Sequence, residues 1–438
     1  MLFHVGLGVL ASINRNSMLL YMVLVLAYFC WKIIVRKQKE LNVLLACAYF
    51  TGAEVYFRMT KAFFFYETGK YAIMLFSVLG IFFVGFKKNA FPYVLYLLFL
   101  LPGVLVSYDA ISYDANFRTA VLFNLSGPLC LSLASIFIFG RTLSLQQFLK
   151  ILDYIVYPLI SMTVYIVLYT PDIREIITST ASNSAVSGGY GPNQVATVLG
   201  LGVFILFSRL LMPYKNVLVQ GTMMFFMALM GYRALLTFSR GGVLVAVIMM
   251  LVFLGVLYFA TSLKNKAKIS FKMVAVGLAS LAIWSFTIIQ TGGLIENRYA
   301  NEDALGREKE DVTTGRVDLL ATEIEAFKES PILGVGVGRV KTYFETELGI
   351  ELPTHNEISR MLSEHGLFGI FALLVLIFAP LITKMNGRKN IFFYPFLIFW
   401  GLTIAHSSMR IAAPAFIYAL CLLNLNYAPK KKIAVHRE

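Results

Sequence analysis

Charge is scarce in this chain. Of 438 residues, 14% are Asp, Glu, Lys or Arg against 58% hydrophobic, and mean hydropathy is +0.73. Soluble domains carry about 25% charged residues, so the deficit excludes a soluble globular protein and predicts a polytopic membrane protein. Cysteine is scarce too. Cys30, Cys47, Cys130 and Cys421 all sit in apolar runs, which gives neither a disulfide framework nor metal-ligand spacing and leaves them as packing residues. No aspartate-rich motif for a divalent metal is present, nor a lone membrane carboxylate of the kind proton-coupled transporters use. The apolar N-terminus lacks a basic start and a small-residue cleavage site, so no cleavable signal is expected. Internal repeats and low-complexity tracts are absent as well.

What is there is a succession of apolar segments near the roughly 17–25 residues needed to span a bilayer. Helices are predicted at 17–35, 41–58, 70–86, 90–106, 118–140, 146–169, 192–209, 216–237, 240–261, 271–290, 357–383, 391–408 and 412–428. The fold class is therefore all-α and polytopic, with about 12 (12–13) transmembrane helices. An odd count would put the N-terminus outside; splitting one C-terminal segment, or a further helix within 1–16, would restore an even one. The net charge of +14 gathers in short loops such as "FKKN", "SLKNKAKISFK" and "TKMNGRKN", and in the tail "PKKKIAVHRE". That distribution follows the positive-inside rule for cytoplasmic loops and argues against a nucleic-acid partner. The outward segments are then 59–69, 107–117, 170–191, the turn at 237–240, and 291–356.

Segment 291–356 is the one long loop. It holds seven of the 38 basic and 13 of the 24 acidic residues, for a net −6. Long loops of this kind are functional or disordered, and the sequence favours order. Val317, Leu320, Ile324 and Phe327 recur at helical spacing, and "ESP" then "GVGVG" ends that helix. The pattern predicts a short amphipathic helix lying over the outer membrane face. The chain divides into N-terminal helices (1–186), central helices (187–290), the outer loop (291–356), and C-terminal helices with a basic tail (357–438).

Several outward residues are suited to chemistry. In "TFSRGG" (237–242), Ser239 is a good N-cap and two glycines leave the helix amides accessible, so Arg240 adds a cation to the positive end of a helix dipole. The plain alternative is an arginine snorkelling to headgroups. Arg233, two turns back on the same face, faces a polar cavity or lies near the interface. Arg316 opens the amphipathic helix, where a surface ion pair to Asp318 or Glu310 is the plain alternative. Arg58 ends the second predicted helix, with Glu54 one turn earlier as a structural partner. Asn193 and Gln194 follow Pro192 at a helix start, where amides suit sugar hydroxyls or phosphate oxygens. His355, after Pro353 and Thr354, can accept a proton from a hydroxyl near neutral pH, and Asn356 can orient its ring or bind substrate. Arg360 forms an i,i+4 pair with Glu364 and is also a candidate substrate contact. His365 reads as a polar packing residue beside Gly366 and Gly369, and His406 and Arg410 as weaker candidates.

"TFSRGG", "TGRVDLLATEIEAFKESPILGVGVG" and "HNEISRMLSEHGLFG" together resemble the O-antigen ligase/polymerase superfamily of bacterial envelope proteins. That family's signature is His, then Asn, Ser or Gln, nine residues, Gly, two residues, and Gly, Thr or Tyr. His355, Asn356, Gly366 and Gly369 fit it. The likeness covers roughly 187–372 well and the N-terminal third weakly, where "TGAEVYFRMT" looks like an element of the ligase-like members, as does "GGYGPNQV". The resemblance implies a GT-C-like membrane fold in the bacterial inner membrane, with an active site facing the periplasm. It also implies inverting transfer of a glycan from an undecaprenyl diphosphate donor, without metal or other cofactor. Arg240 and Arg316 would hold the diphosphate and His355 would activate the acceptor hydroxyl. Arg58, Arg233, Asn193, Asn356 and Arg360 would be substrate contacts.

The leading reading is a ligase whose acceptor is lipid A-core or a related glycan, with membrane lipids around it. The alternative is a polymerase of the same superfamily, whose acceptor is another carrier-linked unit. A lipid-linked glycan transporter would spread polar residues through both membrane halves, and a non-catalytic scaffold would need none of these residues.

Overall fold

Segments that bury all their backbone polar groups internally are the ones a bilayer tolerates, and the chain is built accordingly. The computed structural model describes residues 1–110, 117–170, 172–212, 216–260, 263–310, 313, 315–349 and 354–427. Its helices are α1 (Leu2–Ile13), α2 (Ser17–Val35), α3 (Lys39–Met59), α4 (Thr68–Val84), α5 (Phe91–Ala110), α6 (Phe117–Ile138), α7 (Leu145–Tyr169), α8 (Ile173–Ile176), α9 (Pro192–Leu211), α10 (Val217–Leu236), α11 (Arg240–Ala260), α12 (Leu263–Gln290), α13 (Leu294–Ala300), α14 (Arg316–Glu329), α15 (Val340–Leu348), α16 (Glu357–Met385), α17 (Phe393–Ser407) and α18 (Ala412–Cys421). Among the described residues, nine helices are long and apolar enough to cross a membrane, and α1, α4 and α18 are shorter apolar helices. The protein is an all-α polytopic membrane protein. The basic tail from residue 428, Pro353 and most of the outward segment 107–117 lie outside the described residues.

All thirteen predicted helices are present, and α1 is an addition. It packs on α7, where Gly8 approaches the Ser161 carbonyl so closely that a Cβ would lie 2.6 Å from its oxygen. His4 Nδ1 hydrogen-bonds the Ser161 hydroxyl at 2.9 Å. The sequence left a further helix within 1–16 open, and α1, twelve residues long, is that helix. The last helix ends seven residues before the prediction. There Asn424–Asn426 forms a short parallel ladder with Thr142–Ser144, and Arg388 Nη1 donates to the Leu422 carbonyl at 2.8 Å.

The core is centred on α3, whose side chains are buried continuously from Leu41 to Met59. Its four charged residues explain why it does not score as an apolar span, and two of them, Glu54 and Arg58, are ion-paired at 2.7 Å. Around this core, the N-terminal ends of α9, α11, α14 and α16 meet at one end of the bundle.

The element that sets up this end is the break in α16. Gly366 has φ +60° and ψ −137°, so Glu357–Met385 is two helices across a kink. The glycine-rich turn 331–338 inserts there. Leu367 N–H donates to the Pro331 carbonyl (2.8 Å), and Val335 N–H donates to the Ser363 carbonyl (2.8 Å). Helix ends leave carbonyls and amides without intrahelical partners, and this turn supplies them. Gly334, Gly336 and Gly338 all have positive φ, conformations open to glycine and strained for other residues.

Candidate active site

A cavity of about 550 Å³ lies among these helix ends, lined in part by Asn193, Arg240, Arg316, His355 and Asn356. Of the eight predicted site residues, those five meet here. Arg298, Lys309, Glu323 and His406 line it too.

Each wall is built by local chemistry. Pro192 is pre-set for the first turn of α9, with Gly191 as its N-cap. Asn193 Oδ1 accepts the Ser239 hydroxyl at 2.6 Å, tying α9 to α11. Ser239 therefore joins two helix starts, where the sequence predicted a cap for its own helix. Between α10 and α11 the turn is tight: Phe238 is buried with φ +56°, and its carbonyl accepts Arg298 Nε at 3.1 Å. Arg240 Nη1 donates to Asn301 Oδ1, at the end of α13. Lys309 Nζ reaches Thr180 Oγ1 at 2.7 Å.

The two glycines after Arg240 serve packing rather than open amides. A Cβ on Gly241 would lie 2.6 Å from Cδ2 of His406, and one on Gly242 would lie 2.5 Å from the Thr197 backbone nitrogen. They let α11 press against α9 and α17, which brings Arg240 into the same cavity as Asn193 and His406.

Arg240, Arg298, Lys309 and Arg316 concentrate positive charge in one wall. Among the described residues, neither Arg298 nor Arg316 has a carboxylate within ion-pair distance. Burial lowers the pKa of Arg298, with the Arg240 and Arg316 charges adding to it. Arg316 is lowered by burial and then by Arg240, and Lys309 by burial, Arg298 and Arg240. Cations that depress one another in a half-buried pocket are relieved by a bound anion.

His355 lines the same cavity, just ahead of α16, where Asn356 caps the helix by accepting the Ile358 N–H at 2.9 Å. Its Nδ1 is buried, with no hydrogen-bond partner among the described residues. Burial lowers its pKa to about 4, helped by Arg410, Arg316 and His406, so the ring is neutral at pH 7 and open to a proton.

Three predicted contacts lie elsewhere. Arg58 is buried in a network, donating to Glu54 (2.7 Å), Tyr190 Oη (3.0 Å) and the Arg410 carbonyl (3.0 Å). It reaches the site indirectly, because Arg410 Nη2 donates to the Thr354 carbonyl at 2.5 Å, next to His355. Arg233 turns away from the cavity toward the end of α7, with Nη2 on the Thr170 carbonyl at 3.3 Å. Arg360 is held between Glu357 (2.5 Å) and Glu364, so the i,i+4 pair forms. Glu364 Oε1 also accepts the Gly338 N–H at 2.8 Å, fastening the glycine-rich turn to α16. His365 is buried against Gly103, as a packing residue.

Sequence reasoning passed over Arg298, Lys309 and Glu323. Arg298 sits on the short helix α13 and Lys309 in the irregular stretch after it, and only their convergence on the cavity in the fold reveals them. Glu323 was hidden by the helix reading. The buried face of α14 is Leu319, Thr322, Glu323 and Ala326, packed on α16, whereas Val317, Leu320 and Ile324 are exposed. Val317 and Leu320 of the apolar stripe line the cavity from its exposed side, and Glu323 joins them from the buried face.

No curated protein matches this chain. Residues 225–374, from α10 to the second half of α16, match the family model described as O-antigen ligase. That segment contains Arg240, Arg316 and His355, and over it the chain is similar to the O-antigen ligase family.

Proposed function

We propose that this protein is an O-antigen ligase-type glycosyltransferase. It moves a glycan from undecaprenyl diphosphate to lipid A-core or a related acceptor, at the periplasmic face of the inner membrane. The observation that carries this reading is the cavity itself, which brings four cations together with a neutral histidine.

The acceptor oxygen attacks the anomeric carbon from the face opposite the diphosphate, inverting it. The bond from that carbon to the diphosphate oxygen breaks, and its electron pair leaves with the diphosphate. The hydroxyl proton passes to the His355 ring. Arg240, Arg298, Lys309 and Arg316 hold the charge that builds on the leaving group, which lets the reaction run without a metal. Binding of the diphosphate offsets the Arg316 and Arg410 charges that depress His355, so the base strengthens when donor is in place. One turn along α11 from Arg240, Val243 borders an apolar groove of about 460 Å³ lined by Val203, Met227, Leu235, Met250 and Ile283. That groove suits the carrier's hydrocarbon.

The test uses purified protein in detergent with carrier-linked glycan, lipid A-core and EDTA, read by gel. A shifted lipid A band that disappears in His355→Ala supports the reading. Lengthening of the carrier-linked glycan without acceptor would make the protein a polymerase. Transfer retained in a His355→Ala, Arg240→Ala double variant would refute an enzymatic role for this cavity.

A further inference from the structure

One acidic side chain stands in the otherwise cationic cavity. Glu323 projects from the buried face of α14, is 2% exposed, and lines the cavity with His355 and Asn356. Its Oε2 accepts the Ser359 hydroxyl. Among the described residues its Oε1, buried, has no hydrogen-bond partner. None of the four cavity cations is within ion-pair distance of it among the described residues. A buried carboxylate oxygen left without a partner is costly and needs a donor.

The chemistry of that donor is constrained. A diphosphate at neutral pH offers acceptor oxygens and negative charge, and both are repelled by a carboxylate. A sugar offers O–H and N–H donors. The cavity is therefore divided by sign, with Arg240, Arg298, Lys309 and Arg316 complementing phosphate and Glu323 complementing a hydroxyl. We infer that Glu323 is a sugar-binding residue of this site, its Oε1 accepting a glycan O–H or N–H while the cations hold the phosphate. This deepens the reading above and rests on it.

The charged groups facing Glu323 come from α16, where Glu364, Arg360 and Glu357 are its neighbours; burial first, then the Glu364 and Glu357 charges, lifts its pKa to about 7 against the pull of Ser359 and Arg360. Its protonation thus changes across the working range, which supplies a signature that a purely structural residue would lack.

The experiment compares two probes on the full-length protein in nanodiscs. These are undecaprenyl diphosphate without sugar, and carrier-linked glycan purified from the native membranes. Glu323→Ala leaves the affinity for undecaprenyl diphosphate within about two-fold. Loss of a hydrogen bond to a charged group weakens binding of the sugar-bearing probe roughly ten- to hundred-fold. Should the contact be to acceptor sugar instead, donor affinity is kept and the acceptor KM rises by the same factor. Glu323→Gln, which keeps an acceptor oxygen and the side-chain shape, restores most of the affinity but abolishes the inflection near pH 7 in the transfer profile. Equal weakening of both probes by Glu323→Ala, or no change in either probe or in acceptor KM, overturns the inference. Failure of the wild-type protein to bind undecaprenyl diphosphate at all would instead remove the functional reading on which it rests. Glu323→Gln also serves if the alanine variant does not fold.

Discussion

Replacing Gly366 by alanine puts the architecture of the site under direct strain. Gly366 has φ +60° and ψ −137°, a region that L side chains enter at a cost of about 1–3 kcal/mol. The added Cβ would lie 2.6 Å from the Gly334 nitrogen and 2.7 Å from the Ile332 carbonyl carbon and oxygen. These are backbone atoms, so no rotamer change relieves the overlap, and such overpacking costs about 1–3 kcal/mol more. Relief by movement would separate turn 331–338 from α16 and break the Leu367–Pro331 and Val335–Ser363 hydrogen bonds, each 2.8 Å. The total is about 2–6 kcal/mol. With an unfolding entropy of about 2.1 cal/mol/K per residue, that lowers Tm by about 2–6 °C. A thiol-reactive dye suits the measurement, because Cys47, Cys130 and Cys421 are buried and free. Gly277→Ala is the control: a Cβ there meets nothing within 4 Å, and alanine favours the α12 helix by roughly 0.5–1 kcal/mol. The reasoning fails if Gly366→Ala melts with the wild type, or if Gly277→Ala falls as far.

Gly242→Ala drives a side chain into the backbone of α9 at Thr197, so transfer should fall at least ten-fold while Gly255→Ala, facing open space in the same helix, stays near wild type. Arg58→Met leaves Glu54 without its ion-pair partner and releases the Arg410 carbonyl; breaking a buried pair costs about 3–5 kcal/mol, and both melting temperature and transfer should drop. Arg58→Lys should restore the charge but not the forked contacts, leaving transfer impaired. His355 has a pKa lowered to about 4, so protonation does not begin until well below the usual 6.5. Its carbethoxylation, followed by mass spectrometry, should stay level from pH 7.5 to about 5, and a fall centred on 6.5 would contradict the assignment. Since the folded state disfavours the protonated ring, His355 contributes stability above about pH 6.5 that is lost as pH falls toward 4.

Apolar run length made thirteen helices legible, because the bilayer enforces it. It left α1 only as an open possibility within 1–16 and could not expose the break in α16, where Gly366 sits inside an unbroken helical pattern and only its backbone angles show the kink. The cavity residues that lie beside helix starts (Arg240, Arg316, His355, Asn193 and Asn356) were legible because a cap, a proline or a motif marks each start. Arg58, Arg233 and Arg360 resemble them in sequence and lie outside the cavity; spacing shows the Arg58–Glu54 and Arg360–Glu364 pairs but not the longer-range contacts, such as Arg58 with Tyr190 and the Arg410 carbonyl, that hold Arg58 where it is. Glu323 failed in the opposite sense. Periodicity assigns only the apolar stripe of an amphipathic helix to the protein, whereas α14 also buries Thr322 and Glu323 and leaves Val317 and Leu320 exposed in the cavity lining.

The most direct measurement is the affinity of undecaprenyl diphosphate for the protein in nanodiscs, with Arg240→Gln, Arg298→Gln and Arg209→Gln compared. Arg209 is paired with Asp153 at 2.9 Å and does not line the cavity. The account predicts that each cavity variant weakens binding about ten-fold or more, consistent with loss of a charge-assisted hydrogen bond, while Arg209→Gln leaves it unchanged. Equal affinity across all three variants would contradict a phosphate site in this cavity.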